Sequence, residues 1–300
     1  KYLMAVATPG AQAQNNFFYS RAENLAKEHI PWSVLAKAED QVGGAIIYKE
    51  KAYLISRKNA PNFQILVASL DGSGIASATT LVPETDVPIG WVKVSKDYLF
   101  IQKTQGIVTE WQQYEFATGK IEAIKFPYAG AVWLYCLDVS TNECIVNLLS
   151  WKRPLTRYDY NPKSRLTSLS AFNIACRYPG VDDLITEEVE VKSHDGTMVP
   201  LSLFYNKNLK KDGSHIAFMI GYGAYGSGAI QYFNPLFLPL LNRGVIIAYT
   251  HPRGGGEKGF AWHMGGYKST KPNTWKDFIA CGEYLIKHGY TSAKHLIGEG

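Results

Sequence analysis

Two glycine-rich stretches carry the side chains of this sequence best suited to chemistry. GYGAYG (221–226) offers Tyr222 and Tyr225, and RGGGE (253–257) sets Arg253 and Glu257 on either side of three glycines. Each stretch lies just beyond an apolar run, HIAFMI (215–220) and VIIAYT (245–250), as expected of buried strands that end in turns. A third run, HLIG, leads into the closing GEG, which ends at Gly300.

One chemistry open to GYGAYG is nucleotide binding, because G-x-G-x-x-G after a strand is the dinucleotide fingerprint. That site also needs an acid about 20 residues on, to hold the ribose hydroxyls. Here the next strand runs into YTHPRG, and the nearest carboxylate, Glu257, lies past three glycines. Arg253 keeps a 2′-phosphate reading open, whereas RGGGE lacks the Lys-Ser/Thr of a phosphate loop. The other chemistry is acyl transfer. There the nucleophile sits on a sharp G-x-S-x-G elbow, and a loop after an earlier strand contributes oxyanion donors. HLIGEG then reads as a strand entering the first glycine of an elbow, with the nucleophile expected two positions beyond Gly300. No His, Cys, Asp or Glu grouping has metal-ligand spacing, so neither a metal nor another cofactor is expected.

The elements that must hold these loops fall into two patterns. Up to about residue 175 the chain is strand after strand: GAIIYKEKAYLISRK, FQILVASLDGSG, VKVSKDYLFIQKTQG, WQQYEFATGK, VWLYCLDVSTNECIVNLLS and TRYDYNPKS. Turns at Asp71-Gly72, Thr118-Gly119 and Asn161-Pro162 are 47 and 43 residues apart. A period of about 40–50 residues with three or four short strands per unit is the mark of β-propeller blades. An irregular β-sandwich is the plainer alternative. Three to four blades fit, which makes the ring incomplete on its N-terminal side.

Near residue 180 the pattern changes. VDDLITEEVEVKSHDGTMVPLSLFY is a hairpin turning at His194-Asp195-Gly196. Strands and helices then alternate: HIAFMI, a helical NPLFLPLLNRG ending at Gly244, VIIAYT, the helix NTWKDFIACGEYLIKHG, and HLIG. In that helix Thr274 and Asp277 read as a capping box, with Trp275, Phe278, Ile279, Leu285 and Ile286 as the apolar face and Gly289 as the stop. Cys281 reads as core. The alternation implies a parallel sheet flanked by helices, whose loops at the strand C-termini carry function. We expect a partial β-propeller over residues 1–178 and the first part of an α/β-hydrolase domain over 179–300.

Composition narrows the classes. The chain is 46% hydrophobic and 19% charged, with a net charge of +5 and no Lys/Arg block, so nucleic acid is not an expected partner. Its 19 tyrosines and 7 tryptophans suit sheets and cleft walls. No apolar stretch approaches the ~20 residues of a bilayer span. The opening KYLMAVATPGAQAQ has too short an apolar run for a signal peptide and no initiator Met, so it reads as the interior of a longer protein. Cys136, Cys144, Cys176 and Cys281 show no CxxC spacing. Cys136 and Cys144 could face each other across a hairpin, but buried thiols are the expectation for all four.

Several long stretches in fixed order resemble the prolyl oligopeptidase family of serine peptidases, which includes oligopeptidase B. They are SHDGTMVPL, IGYGAYG, HPRGGGEKGFAWHMGGYKSTKPNTWKDFIACGEYLIKHGYTSAKHL and the final GEG; upstream, ISRKNAPNFQILVASLD resembles a blade of that family. The resemblance is strong after residue 185 and weaker before it. It implies a seven-bladed propeller capping an α/β-hydrolase domain that admits only short peptides, with serine, aspartate and histidine placed after residue 300. This chain would then be a piece without nucleophile, acid or base. The tyrosine of the family's Y-G-G/S-F/Y loop, which lends its hydroxyl to the oxyanion hole, matches Tyr222. The aromatic three positions on matches Tyr225, expected on the wall of the primary specificity pocket. For Tyr222 the plain alternative is a packed tyrosine with its hydroxyl satisfied locally.

Arg253 and Glu257 are expected to fix their loop by charge-assisted hydrogen bonds beside the cleft, with direct substrate contact as the sharper reading. His251 and His263 are not expected to be catalytic, because the family takes its base from near its C-terminus. The resemblance makes oligopeptides the partners. NAPNF (59–63) and YTSAKHL (290–296) lean toward the post-proline branch over the basic-residue branch. Cytoplasm is the expected compartment, since no cysteine framework is present and the family is commonly cytoplasmic; a periplasmic or secreted protein stays open.

Overall fold

A computed structural model describes residues 1–8 and 15–300. Residues 9–14 of the opening stretch weighed above as a leader lie outside the described residues. Strands β1 (Tyr2–Ala7), β2 (Asn16–Arg21) and β3 (Ser33–Ala36) form a three-stranded antiparallel sheet. Three four-stranded sheets follow, each with its strands in chain order. The first comprises β4 (Val42–Tyr48), β5 (Lys51–Ser56), β6 (Gln64–Ser69) and β7 (Thr79–Val82). The second comprises β8 (Ile89–Val94), β9 (Tyr98–Gln105), β10 (Val108–Glu115) and β11 (Ile121–Ala123). The third comprises β12 (Ala131–Cys136), β13 (Cys144–Ser150), β14 (Arg153–Asn161) and β15 (Leu166–Leu169).

Each is the meander of a propeller blade. The three turns singled out by their spacing all join the third strand of a blade to the fourth. Gly72 (φ +98°) and Gly119 (φ +71°) hold backbone conformations that a Cβ would strain. The repeat is therefore one of conformation, which explains why it shows in turn residues and not in identity.

The chain packs as two compact units that do not follow chain order. The first takes residues 1–104, 110–124 and 136–143; the second takes 105–109, 125–135 and 144–300. The division expected at residues 178 and 179 falls inside the second unit, between β15 and the next strand. In the first unit Leu35, Val42 and Leu54 fill one core, and Ile65, Leu99 and Ile101 fill another. Trp151 anchors the second unit. It lies between β13 and β14, and its ring stacks on Tyr249 (centroids 4.8 Å apart) and Phe204 (5.5 Å).

The second unit is built on a five-stranded sheet of order β16-β17-β19-β18-β20. It comprises β16 (Leu184–Lys192), β17 (Met198–Asn206), β18 (Ala217–Ile220), β19 (Ile246–Thr250) and β20 (Leu296–Glu299). Strand β18 runs parallel to β19 and β20, and β16-β17 is an antiparallel hairpin added beside β19. The central strands are apolar because both faces are covered: Ala217, Ile246, Ile247, Ala248 and Leu203 are fully buried. Helix α1 (Leu238–Leu241) is one turn after Pro235–Phe237, α2 is Gly259–Met264, and α3 is Pro272–Lys287. Among the described residues no helix is long and apolar enough to cross a membrane.

Three expectations need correction. First, Thr274 and Asp277 do not cap α3. Its N-cap is Lys271, and both residues lie inside the helix on its buried face with Cys281, Gly282 and Leu285. Second, Trp275, Ile279 and Ile286 of the expected apolar face are exposed, at 58%, 57% and 38%, because partners elsewhere in the fold claim the polar residues beside them. Third, the cysteines are thiols, but only Cys144 and Cys281 are buried; Cys136 is half-buried and Cys176 exposed. The expected stop at Gly289 does hold, with φ +73° just past the last turn.

Candidate active site

The loops leaving β18, β19 and the end of α2 lock together through glycine backbones. A Cβ on Gly254 would lie 2.0 Å from the Gly223 carbonyl oxygen, one on Gly256 would lie 2.2 Å from that of Gly226, and one on Gly266 would lie 2.3 Å from that of Arg253. The Gly226 N–H donates to the Gly254 carbonyl at 3.0 Å, and the Gly254 N–H to that of Trp262 at 3.0 Å. No side chain fits between backbones this close, which is why GYGAYG, RGGGE and Gly265-Gly266 are glycine-rich. The terminal strand joins the same floor, since Gly221 N–H donates to the Glu299 carbonyl at 3.0 Å.

On this frame opens a cleft of about 250 Å³, lined by Tyr222, Gly223, Ser227, Tyr249, Glu257 and Glu299 among others. Tyr222 stands at its rim, 60% exposed, and its hydroxyl makes no hydrogen bond among the described residues. Tyr225, 74% exposed with φ +57°, holds its ring 6.4 Å from that of Tyr222. The two aromatics thus form one open face above a rigid glycine floor.

Arg253 is buried and its guanidinium is fully engaged. Nε and Nη2 donate to the Asp277 carboxylate at 2.8 and 2.7 Å, and Nη1 donates to Asp195 at 2.5 Å. Asp277 also accepts from the Arg253 backbone N–H (3.0 Å) and from Ser193 Oγ (2.6 Å), while Thr274 Oγ1 donates to the Arg253 carbonyl at 2.6 Å. The β16-β17 turn, the RGGGE loop and α3 are thereby tied at one point. These hydrogen bonds to Asp277 and Asp195 hold the Arg253 guanidinium even more firmly protonated than usual. The guanidinium holds the Asp195 carboxyl well below the usual carboxylate range.

Glu257 is buried on the cleft side of the loop. Its Oε1 accepts from the Ala229 N–H at 2.9 Å and faces His251 Nδ1 at 3.3 Å. Its Oε2, also buried, has no partner among the described residues, and a Cβ on Gly255 would lie 2.3 Å from it. His251 Nε2 sits 2.7 Å from Ser202 Oγ, which donates to Glu188 Oε2 at 2.5 Å; Glu188 Oε1 accepts from the Trp151 indole at 3.1 Å. Burial pushes the Glu188 carboxyl up, against the pull of its donors.

Ser202, His251 and Glu257 stand in the order of a nucleophile, base and acid, yet the Ser202 hydroxyl gives its one proton to Glu188, and Ser202 and His251 are 0% exposed. No substrate carbonyl reaches Ser202, so the array is a sealed polar strut. His263 Nδ1 lies 3.0 Å from the Gly254 carbonyl, part of the loop frame. Sequence reasoning missed Ser193, Asp195, Ser202 and Glu188. For Ser202 the available signal was a small polar residue at a buried position of an otherwise apolar strand, VPLSLFY; Ser193 and Asp195 lie in the β16-β17 turn. Among the described residues no cluster of His, Cys, Asp or Glu could hold a metal ion.

The nucleotide reading of GYGAYG is not supported by this geometry. A dinucleotide loop delivers the pyrophosphate to a helix N-terminus, and residues 221–234 contain no helix; the next helical turn starts at Pro235.

Residues 1–173 match the family model for the N-terminal beta-propeller domain of prolyl oligopeptidase, and residues 231–300 match that of the prolyl oligopeptidase family. GYGAYG lies between the two matched stretches. A prolyl endopeptidase of Elizabethkingia meningoseptica is 26% identical over 300 residues, covering 100% of this chain and 42% of that protein. A dual function macrocyclase-peptidase of Amanita bisporigera is 27% identical over 314 residues, covering 97% of this chain and 41% of that protein. A solved structure from an analysis of two prolyl endopeptidases superposes with a TM-score of 0.89 at 25% identity, covering 99% of this chain and 43% of that one. The chain spans about 42% of the length of the curated relatives it matches. Its blades are propeller blades, and its five-stranded sheet is the start of the hydrolase domain. The chain belongs to the prolyl oligopeptidase family.

Proposed function

We propose that the protein carrying this chain is a serine-type endopeptidase that hydrolyses short peptides by acyl transfer, cleaving after proline. The observation that carries the reading is the Tyr222 hydroxyl, held at a cleft rim on a rigid floor with no competing partner. A donor fixed in advance stabilises a developing alkoxide without reorganising during the reaction. Tyr225 supplies the adjoining aromatic wall. Arg253 fixes the loop from behind, and Glu257, which lines the cleft, borders the bound peptide. The nucleophile, acid and base come from residues outside these 300. The post-proline preference follows relatives such as the prolyl endopeptidase of Elizabethkingia meningoseptica. Cysteines carried as thiols suit a cytoplasmic enzyme.

The test is made on the full-length gene product. A serine-directed fluorophosphonate is expected to label one serine outside residues 1–300, and short reporter peptides ending in proline are expected to outpace those ending in arginine. Absence of a labelled serine removes the peptidase reading, and a preference for arginine moves the protein to the basic-residue branch.

A further inference from the structure

Lys271 stands where its charge is least welcome. It is the N-cap of α3, whose first turn contains no acidic residue, and a cation there opposes the helix dipole. It is half-buried, burial pulls its ammonium below the usual lysine range, and no carboxylate lies within ion-pair distance among the described residues. Its Nζ donates instead to the carbonyl oxygen of Gly223 at 2.6 Å. That carbonyl belongs to the residue following Tyr222. Gly223 is left-handed (φ +61°), and a Cβ there would lie 2.4 Å from Thr274 Cγ2 and 3.0 Å from the Arg253 carbonyl. The peptide plane is thus confined by the glycine frame on one side and drawn by an ammonium on the other.

We propose that Lys271 is a positioning residue for Tyr222: by clamping the Gly223 carbonyl it fixes the backbone that aims the phenol into the cleft. The inference rests on the oxyanion reading of Tyr222. A charge-assisted hydrogen bond is short and directional, and a cation kept half-buried without a counter-ion is retained for what it holds. The ammonium also brings positive charge to the loop expected to face the alkoxide, where electrostatic stabilisation is most effective.

The experiment compares Lys271→Met, Lys271→Arg, Tyr222→Phe and the Lys271→Met/Tyr222→Phe double variant in the full-length gene product. Lys271→Met is expected to lower kcat about tenfold with KM nearly unchanged, as for an interaction felt in the transition state. Lys271→Arg restores most of the loss. The double variant is no slower than Tyr222→Phe alone, because Lys271 acts through Tyr222. An unchanged kcat in Lys271→Met, or losses that simply add in the double variant, overturns the proposal.

A readout independent of turnover is chymotrypsin cleavage after Tyr222 and Tyr225 in the native protein. Lys271→Met is expected to speed it about tenfold, because cleavage follows the population of opened loop, and Lys271→Arg is expected not to. If Tyr222→Phe leaves kcat intact, the oxyanion reading falls. The cleavage rate then decides whether Lys271 holds the loop: faster cleavage keeps the clamp, and an unchanged rate overturns it. Should Lys271→Met fold poorly, Lys271→Gln serves the same comparisons.

Discussion

Arg253 and Asp277 meet as a fork on a fork inside the second unit: Nε lies 2.8 Å from Oδ2 and Nη2 lies 2.7 Å from Oδ1, with the Asp277 side chain wholly buried. Removing one partner of such a pair strands the other charge without water, at a cost of about 3–5 kcal/mol. Asp277→Asn is expected to destabilise the protein by that amount in urea unfolding. A loss under about 1 kcal/mol, the level of an exposed pair, would mean that Arg253 finds other acceptors and does not depend on this pair.

Asp195 gives a pH dependence with a defined sign. Its carboxyl is depressed, first by the hydrogen bond from Arg253. Its ionised form therefore contributes in full above the unfolded-chain value of about 3.9, and that contribution is lost as pH falls further, toward the lower folded-state value. In an acid titration of stability, Asp195→Asn is expected to flatten the slope below about pH 4 relative to the unsubstituted protein. Parallel curves would remove Asp195 from the account.

On the reading of Tyr222 proposed above, Tyr222→Phe lowers kcat by about 10²-fold or more, equivalent to ~2.7 kcal/mol, with little change in KM. Tyr225→Phe is the matched control: it takes a hydroxyl from the same loop and leaves the aromatic face, so its kcat stays close to that of the parent. Equal effects of the two substitutions would make Tyr222 a packing or binding residue.

Ser202 is expected to resist serine-directed reagents although His251 Nε2 lies 2.7 Å from its Oγ. Mass mapping after fluorophosphonate treatment should find no adduct on Ser202, nor on any serine of residues 1–300. Ser202→Ala should instead register as stability, about 1–3 kcal/mol, because Glu188 and His251 lose a buried partner. An adduct on Ser202 would show that the strut opens to solvent.

Gly72 and Gly254 share a backbone conformation, φ +98° and +101°, in opposite surroundings. Gly72 has nothing within 4 Å of the Cβ position, whereas Gly254 has the Gly223 carbonyl oxygen at 2.0 Å. Gly72→Ala is expected to cost about 1–2 kcal/mol, the left-handed penalty alone. Gly254→Ala should cost clearly more, because a carbonyl must also move. Equal melting shifts in the two variants would deny the interlock.

The sequence shows what is periodic or local. Turn spacing located the third-to-fourth strand corner of each blade, because two of these corners carry a left-handed glycine and the third an Asn-Pro turn, and a left-handed glycine, Gly289, also ended α3. The inward face of α3 was not legible. Thr274 and Asp277 sit 21 and 24 residues from their Arg253 partner, and Ser193 is 84 residues from Asp277. Local pattern assigned both residues to a cap and gave the core to Trp275 and Ile279, which the fold leaves outside. Tyr222 and Tyr225 were singled out by their match to a family loop, and the structure leaves both rings exposed. The buried array behind them was not, since a serine or glutamate in a strand shows its role only when the opposing strand is known.

The backbone interlock of GYGAYG, RGGGE and Gly265-Gly266 has a consequence for how the loops can diverge. Each excludes side chains from the others, so a Cβ in one is tolerated only after a shift in its neighbour. A substitution harmful by itself is therefore expected to be milder when its neighbour changes with it. Lengthening any one loop is expected to displace the other two, and grafting one loop from a relative is expected to fail where grafting all three together succeeds. The rim tyrosines escape this constraint, because their rings project from the frame without passing through it. The scaffold of the cleft is therefore expected to change as a block, while the two rim tyrosines are free to change one at a time.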